Sequence, residues 1–138
     1  MKIFLDANIL ISVLNKEFPL FSYTSRILSL IDNSSFSICT SPICLAIAFY
    51  FAEKKHGHAL AKKKIALLAE KIQITATDKG TVRDALRNHE INDFEDGLEY
   101  YSALKSRCKC IITEDVSDFY FSQIEVLTAK TFLEKYFA

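Results

Sequence analysis

The segment KIFLDANIL, residues 2–10, determines the fold that we predict for this chain. Its first part, Lys2–Leu5, is almost continuously apolar, as in a short buried strand. A helical stretch, Ala7–Leu14, follows at once, and Asp6 stands at the junction. The segment therefore predicts a strand that leads directly into a helix, with a carboxylate at the carboxyl end of the strand.

Strands and helices alternate along the rest of the chain. After the first strand, the predicted strands are Phe36–Thr40, Ile72–Thr75, Cys110–Thr113 and Ile124–Leu127. After the first helix, the predicted helices are Phe21–Ile31, Pro42–Lys55, His58–Lys71, Lys79–Asn88, Asp93–Ser106 and Ala129–Tyr136. Strands separated by helices imply a parallel sheet that is covered on both faces. We therefore predict a single three-layer α/β/α domain over residues 1–138, with a mostly parallel sheet of about five strands.

The composition is that of a globular protein. Hydrophobic residues make up 50% of the 138 residues and charged residues 25%, which fits one domain with one core. Lysine plus arginine number 17, as do aspartate plus glutamate. This balance argues against a protein that coats nucleic acid through bulk positive charge. It does not exclude a nuclease, in which metal neutralises an acidic site and basic residues act locally.

The cysteines and the apolar segments set further limits. The cysteine spacings match no zinc pattern, so we expect reduced, buried thiols at Cys39, Cys44, Cys108 and Cys110. The longest apolar run, Ile43–Ala52, is too short to span a bilayer. No targeting segment is visible. We therefore expect a cytoplasmic protein with no membrane association.

Several acidic residues fall near the carboxyl ends of the predicted strands, where ligands bind in parallel sheets. Asp6 follows the first strand, and Asp115 follows the fourth. Asp93, Asp96 and Glu99 are three apart near the start of a helix, so they share one helix face. Carboxylates brought close together repel one another unless one is protonated or a cation is bound. Oxygen ligands without histidine or cysteine suit Mg²⁺ or Mn²⁺.

Each acid also has a purely structural interpretation. Asp6 can be the N-cap of the helix that follows it. Asp93 and Asp96 can favour a helix N-terminus through the helix dipole. Asp115 and Asp118 can be turn residues. The metal-site interpretation therefore depends on the whole set rather than on any one member.

The acidic segments, in the order in which they follow one another along the chain, resemble those of the PIN-domain family of metal-dependent nucleases. This family includes the toxins of VapBC-type toxin–antitoxin pairs. Ile3–Leu10 is similar to the family's first motif, an apolar strand that ends in Asp-x-Asn or Asp-x-Ser. Asp93–Leu98 is similar to the motif with the third acid, at Asp96, and Ile111–Asp115 to the motif with the fourth, at Asp115. The resemblance covers essentially the whole chain.

The acid set and the resemblance together imply a mechanism and partners. Asp6, Asp96 and Asp115 would bind one or two Mg²⁺ or Mn²⁺ ions, and a metal-activated water would cut an RNA phosphodiester. Asn8 would orient Asp6 or a bound water. Further supporting residues are Asp93, Thr113 and Asp118. The resemblance to the toxins also implies a small antitoxin protein as partner and a homodimer.

One position departs from the family pattern. The family's second acid is usually a glutamate in the helix after the second strand. When Ser41–Ala46 is aligned with that helix, Ile47 occupies the position of this glutamate. Glu53 lies roughly 120° away around the helix, so it is no ready substitute. The loss of a carboxylate should weaken metal binding. The alternative function is therefore a non-catalytic PIN module that binds RNA or a protein partner.

Other interpretations fit the sequence less well. A haloacid-dehalogenase-like phosphatase needs a second aspartate where this chain has Asn8, and a response-regulator receiver needs an acceptor aspartate where it has Thr75–Thr77. Consecutive lysines point around a helix rather than along one face, which favours a solvated surface over an RNA-binding surface. The lysines concerned are Lys54, Lys55 and Lys62–Lys64.

Overall fold

The computed structural model describes residues 1–137 and contains a five-stranded sheet surrounded by helices. The strands are β1 (Lys2–Leu5), β2 (Ser37–Thr40), β3 (Gln73–Ile74), β4 (Cys110–Ile112) and β5 (Glu125–Leu127). The helices are α1 (Ala7–Asn15), α2 (Phe21–Leu28), α3 (Pro42–His56), α4 (His58–Lys71), α5 (Lys79–Arg87), α6 (Phe94–Lys105) and α7 (Ala129–Phe137). Short 3-10 helices cover Ser29–Asp32 and Val116–Phe119.

The sheet is parallel throughout, with the strand order β3-β2-β1-β4-β5. The chain builds outward from β1 through β2 to β3, and then returns to the other side of β1 for β4 and β5. Such a reversal opens a crevice at the carboxyl ends of the two strands where it occurs, here β1 and β4. The predicted three-layer α/β/α architecture with a parallel sheet of five strands is confirmed.

The central strands form the middle of the core. Ile3 and Phe4 of β1 and Ile111 and Ile112 of β4 are completely buried. Because helices cover both faces of the sheet, these strands are continuously apolar rather than alternating. Leu5 pairs with Ile112, and the backbone N–H of Asp6 donates to the carbonyl of Ile112 at 3.0 Å. The register between β1 and β4 therefore fixes the position of Asp6.

A glycine allows α6 to approach α5 closely. A Cβ atom at Gly97 would lie 3.1 Å from both Ala85 Cβ and Ile91 Cγ2, which is tighter than ordinary van der Waals contact. The first turn of α6 is therefore held against α5 and Ile91. This contact positions Asp96, the residue directly before Gly97.

Two predicted elements are shorter in the structure, and one apolar residue is exposed. The helix predicted over Phe21–Ile31 changes to a 3-10 turn after Leu28, and the third strand shrinks to Gln73–Ile74, an exposed edge strand. The helical spacing places Phe94 on one face of α6 with Leu98 and Tyr101, but Phe94 is 46% exposed. As the first residue of α6, Phe94 projects past the helix end, because side chains lean toward the N-terminus.

Two of the lysines predicted to be solvated have structural partners. Lys55 donates to the carbonyl of Asn15, and Lys64 donates to the carbonyl of Leu14 at 3.0 Å. These carbonyls belong to the last turn of α1, where a lysine can satisfy unpaired acceptors. The two lysines thus join α3 and α4 to the end of α1.

The cysteines and the helix lengths bear on two further predictions. All four cysteines are buried and free, as predicted, and Cys39 Sγ lies 3.0 Å from Cys108 Sγ. Within residues 1–137, no helix is long and apolar enough to cross a membrane.

Candidate metal centre

The acidic residues meet in a cleft of about 270 Å³ at the carboxyl ends of β1 and β4. Every site residue predicted from the sequence lies in this cleft or, in the case of Thr113, buried beside it. The polar lining residues are Asp6, Asn8, Asp93, Glu95, Asp96, Glu99, Asp115 and Asp118, and the apolar ones are Ala7, Ile11 and Ile47.

Asp6 both caps a helix and lines the cleft. It is the N-cap of α1, and its Oδ1 accepts a hydrogen bond of 2.6 Å from the backbone N–H of Ala7. Its Oδ2 accepts a hydrogen bond of 2.7 Å from the hydroxyl of Thr113. Asp6 is only 8% exposed. The carboxylate is therefore fixed at the base of the cleft by its own helix and by the residue that follows β4.

Asn8 connects the β1 side of the cleft to the β4 side. Its Nδ2 donates to Thr113 Oγ1 and to Asp115 Oδ2, both at 3.1 Å, and reaches Asp6 Oδ2 at 3.5 Å. Its Oδ1 accepts from the backbone N–H of Glu114 at 3.2 Å. One amide thus holds the loop that carries Asp115 against the start of α1.

The start of α6 supplies the next acids. Asp93 is the N-cap of α6 and accepts from the backbone N–H of Asp96 at 3.0 Å. Burial raises the pKa of Asp96 to about 7, and the negative charges of Asp93 and Asp118 add to the effect. Asp93 therefore lies at the N-terminus of α6, as its structural interpretation required, and it also lines the cleft.

Glu99 lines the cleft and contacts Cys44 of α3, and neither residue was predicted as a site residue. Glu99 is 2% exposed, and the Cys44 thiol donates to its Oε1 at 2.8 Å. Ligand atoms of Asp6, Cys44 and Glu99 all lie within 4.8 Å of one another. The spacing of Glu99 from Asp93 and Asp96 was the sequence signal for this position. Cys44 gave no signal, because a buried cysteine in an apolar helix is usually part of the core.

Burial is the main cause of the pKa shifts of Glu99 and Cys44. It raises the pKa of Glu99 to about 10, and the nearby charge of Asp6 adds to the shift. Burial also raises the pKa of Cys44 well above its usual range, with Glu99 as the next cause. The sulfur therefore keeps its proton and acts as a hydrogen-bond donor rather than as a thiolate.

Helix α3 contributes an apolar side chain to the cleft, at the position where the family pattern has an acid. Ile47 lines the cleft, and no carboxylate of α3 does. Glu53, further along α3, instead pairs with His58 at 3.1 Å. The expectation that Glu53 does not replace the missing acid is confirmed.

The cleft is strongly acidic, and its described lining residues include no basic side chain. Seven of its lining residues carry carboxylates, and none of the ion pairs within residues 1–137 involves them. Such a cluster needs protons or a cation, and an oxygen-rich set fits a hard divalent cation. A larger groove of about 420 Å³, beside α1 and α2, contains one carboxylate, Asp32, among mostly apolar or basic neighbours and offers no comparable site.

Comparison with known proteins identifies the family. The family model described as PIN domain matches residues 2–117. The chain belongs to the PIN domain family. A curated relative, Ribonuclease VapC1 of Aquifex aeolicus (strain VF5), is 28% identical over 143 residues, which cover 98% of this chain and 95% of the relative.

Solved structures of the family share the fold. VapBC-1 from nontypeable Haemophilus influenzae has a TM-score of 0.71 at 17% identity, with coverage of 94% of this chain and 99% of that one. VapC20 of Mycobacterium tuberculosis, a Sarcin–Ricin loop cleaving toxin, has a TM-score of 0.68 at 16% identity, with coverage of 88% and 98%. At these identities the likeness shows the fold alone.

Proposed function

We propose that this chain is a divalent-metal-dependent endoribonuclease of the toxin type, acting through the acidic cleft at the ends of β1 and β4. The observation that carries the proposal is the group of seven carboxylates, with no basic side chain among the lining residues that the structure describes. Carboxylates this close ionise together only when a cation shares them. The PIN family and the relative named as a ribonuclease support this reaction class.

Three aspartates are the proposed ligands of one or two Mg²⁺ or Mn²⁺ ions, directly or through water. Asp6 ends β1, Asp96 lies in the first turn of α6, and Asp115 follows β4, so three separate elements converge on one cleft. Their oxygen donors match the preference of these ions. When bound, such an ion polarises a phosphodiester and activates a water for attack on phosphorus.

The surrounding residues would hold the aspartates in place. Asn8 and Thr113 bind Asp6 and Asp115 through hydrogen bonds of 2.7 and 3.1 Å, which limit the rotation of both carboxylates. Asp93 caps α6 and thereby fixes the turn that carries Asp96. Asp118 lies at the wall of the cleft and adds negative potential.

The substrate and the partners follow from the relatives. We propose RNA as the substrate, a small antitoxin protein as the partner, and a homodimer of this chain acting in the cytoplasm as one domain. In support, one structural neighbour is a toxin that cleaves the Sarcin–Ricin loop and another is a VapBC complex.

A second candidate function is a PIN module that binds RNA or a protein without cutting. The observation in its favour is Ile47, which lines the cleft where an acid is expected. Loss of one negative charge weakens attraction for a divalent cation. Cleavage with added Mn²⁺ distinguishes the two functions, because only the nuclease consumes RNA.

The experiment is cleavage of a panel of structured and single-stranded RNAs by the pure protein, with Mg²⁺, Mn²⁺ or EDTA. Asp96→Asn is the site variant. Asp32→Asn makes the same chemical change at an exposed residue outside the cleft. We expect metal-dependent cleavage that falls at least roughly hundredfold in Asp96→Asn and is kept in Asp32→Asn. Cleavage in EDTA, or full activity of Asp96→Asn, would exclude this site.

A further inference from the structure

The acidic cleft contains a carboxylate that was not predicted as a site residue. From α3 the cleft receives only Ile47, whereas from α6 it receives Glu99, one helical turn beyond Asp96. Glu99 is 2% exposed, and its carboxylate lies within 4.8 Å of a ligand atom of Asp6. Glu99 therefore lies beside Asp6, and it comes from α6 rather than from α3.

We propose that Glu99 is a ligand of the divalent metal in this cleft and replaces the carboxylate that α3 lacks. Cys44, in this proposal, is a positioning residue that orients Glu99 through its thiol. The inference rests on the proposed metal-dependent function and adds a fourth acid, Glu99, to Asp6, Asp96 and Asp115. With Glu99 included, the site has four acids even though Ile47 occupies the position of the usual glutamate.

The burial of Glu99 is what points to a missing ligand. A carboxyl group buried away from water ionises when a cation is paired with it, and otherwise it keeps its proton. No ion pair within residues 1–137 involves Glu99, and Asp6, whose carboxylate lies within 4.8 Å of it, is itself buried. A divalent cation held between Asp6 and Glu99 would offset the repulsion between them and the cost of burying both.

The thiol of Cys44 fits a positioning role. Cys44 Sγ donates to Glu99 Oε1 at 2.8 Å, and the backbone N–H of Cys44 is held by Ser41 Oγ at 3.2 Å. Ser41 caps α3, so the thiol is fixed relative to the helix start. A donor on one carboxylate oxygen restricts the rotation of the other, as second-shell hydrogen bonds do in metal sites.

The test is Mn²⁺ binding measured by calorimetric titration of the full chain, without RNA. Glu99→Gln keeps the shape of the side chain and removes its charge, and Glu70→Gln makes the same change at an exposed residue of α4. Glu99→Asp keeps the charge but shortens its reach. We expect Mn²⁺ affinity to fall at least about tenfold in Glu99→Gln, to fall less in Glu99→Asp, and to stay unchanged in Glu70→Gln.

The role of Cys44 has its own readout. Cys44→Ser keeps a hydrogen-bond donor, and Cys44→Ala removes it. We expect Cys44→Ala to weaken Mn²⁺ binding and Cys44→Ser to restore most of it. Equal affinity of the alanine and serine variants would overturn the positioning role.

The outcomes separate this inference from the proposed function. Mn²⁺ binding that is lost in Asp96→Asn but unchanged in both Glu99 variants would overturn the role of Glu99 and leave the metal-dependent function intact. No Mn²⁺ binding by the unaltered, folded chain would overturn both. Circular dichroism melting of each variant shows that lost binding is not lost folding.

Discussion

The amide of Asn8 is hydrogen-bonded to the carboxylate of Asp115, with 3.1 Å between Nδ2 and Oδ2, although the two residues are 107 positions apart in the chain. The same Nδ2 donates to Thr113 Oγ1, which in turn donates to Asp6 Oδ2. The carboxylates that follow β1 and β4 therefore belong to one hydrogen-bonded unit. These hydrogen bonds set the relative position of the two carboxylates.

Asn8→Ala should impair the site without unfolding the protein. The change removes the donor to Asp115 and frees its carboxylate to rotate, so we expect RNA cleavage and Mn²⁺ affinity to fall by about ten- to hundredfold. The melting temperature should change little, because Asn8 is partly exposed. Asn92→Ala, at an exposed loop residue, is the control. Wild-type cleavage rates for Asn8→Ala would show that the hydrogen-bonded unit is not needed.

Ile47→Glu should strengthen metal binding. The residue lines the cleft, so a carboxylate there adds a negative charge close to the proposed ligands. We expect tighter Mn²⁺ binding and faster cleavage at limiting metal, and no gain for Ile47→Gln, which has the same shape without the charge. Calorimetric titration and RNA cleavage measure the two effects. Equal affinity in the two variants would mean that Ile47 does not face the metal.

The stability of the metal-free protein should fall as the pH rises. Burial raises the pKa of Glu99 from 4.5 to about 10 and that of Asp96 from 3.8 to about 7, so the folded chain holds these protons more tightly than the unfolded chain. The stabilisation is present below the unfolded pKa values and is lost as the pH rises toward the folded ones.

Thermal melting in EDTA between about pH 5 and about pH 9 measures this effect. We expect the melting temperature to decrease across that range, to decrease less in Glu99→Gln, and to be partly restored by Mn²⁺ at the alkaline end. A melting temperature that rises over the range, or a slope that Glu99→Gln leaves unchanged, would contradict the assignment of the buried acid.

Cobalt(II) should distinguish an oxygen site from a sulfur site. The Cys44 thiol keeps its proton and donates a hydrogen bond to Glu99, so the sulfur should not be a metal ligand. A soft thiolate ligand would give an intense sulfur-to-cobalt absorption band. We expect the Co²⁺ spectrum to lack that band and to be the same in Cys44→Ser. A thiolate band that disappears in Cys44→Ser would instead make Cys44 a ligand.

Most of the fold followed from the sequence because local and tertiary requirements agree. The apolar strand at Lys2–Leu5, the cap at Ser41 and the turn at Gly57 each fix an element boundary through backbone chemistry alone. The structure differs where tertiary packing decides the outcome. The edge strand β3 keeps only two residues, and Phe94 lies at a helix end where spacing no longer determines burial.

The site was predicted less completely than the fold. Asp6, Asp96 and Asp115 were identifiable because strand ends and helix starts meet at one edge of a parallel sheet. Glu99 lies on the same face of α6 as Asp96, but its burial depends on how closely α6 packs against the neighbouring elements, and its contact with Cys44 joins residues 55 positions apart. Neither packing distance nor long-range contact can be derived from spacing.

The most direct measurement is the manganese anomalous signal from crystals grown with Mn²⁺, for the unaltered chain and for Asp96→Asn. We expect an anomalous peak in the acidic cleft, within bonding distance of Asp6 and Asp96, that is absent in the variant. A cleft with no peak at saturating Mn²⁺, or a peak that Asp96→Asn leaves unchanged, would contradict the central claim that these carboxylates form a metal centre.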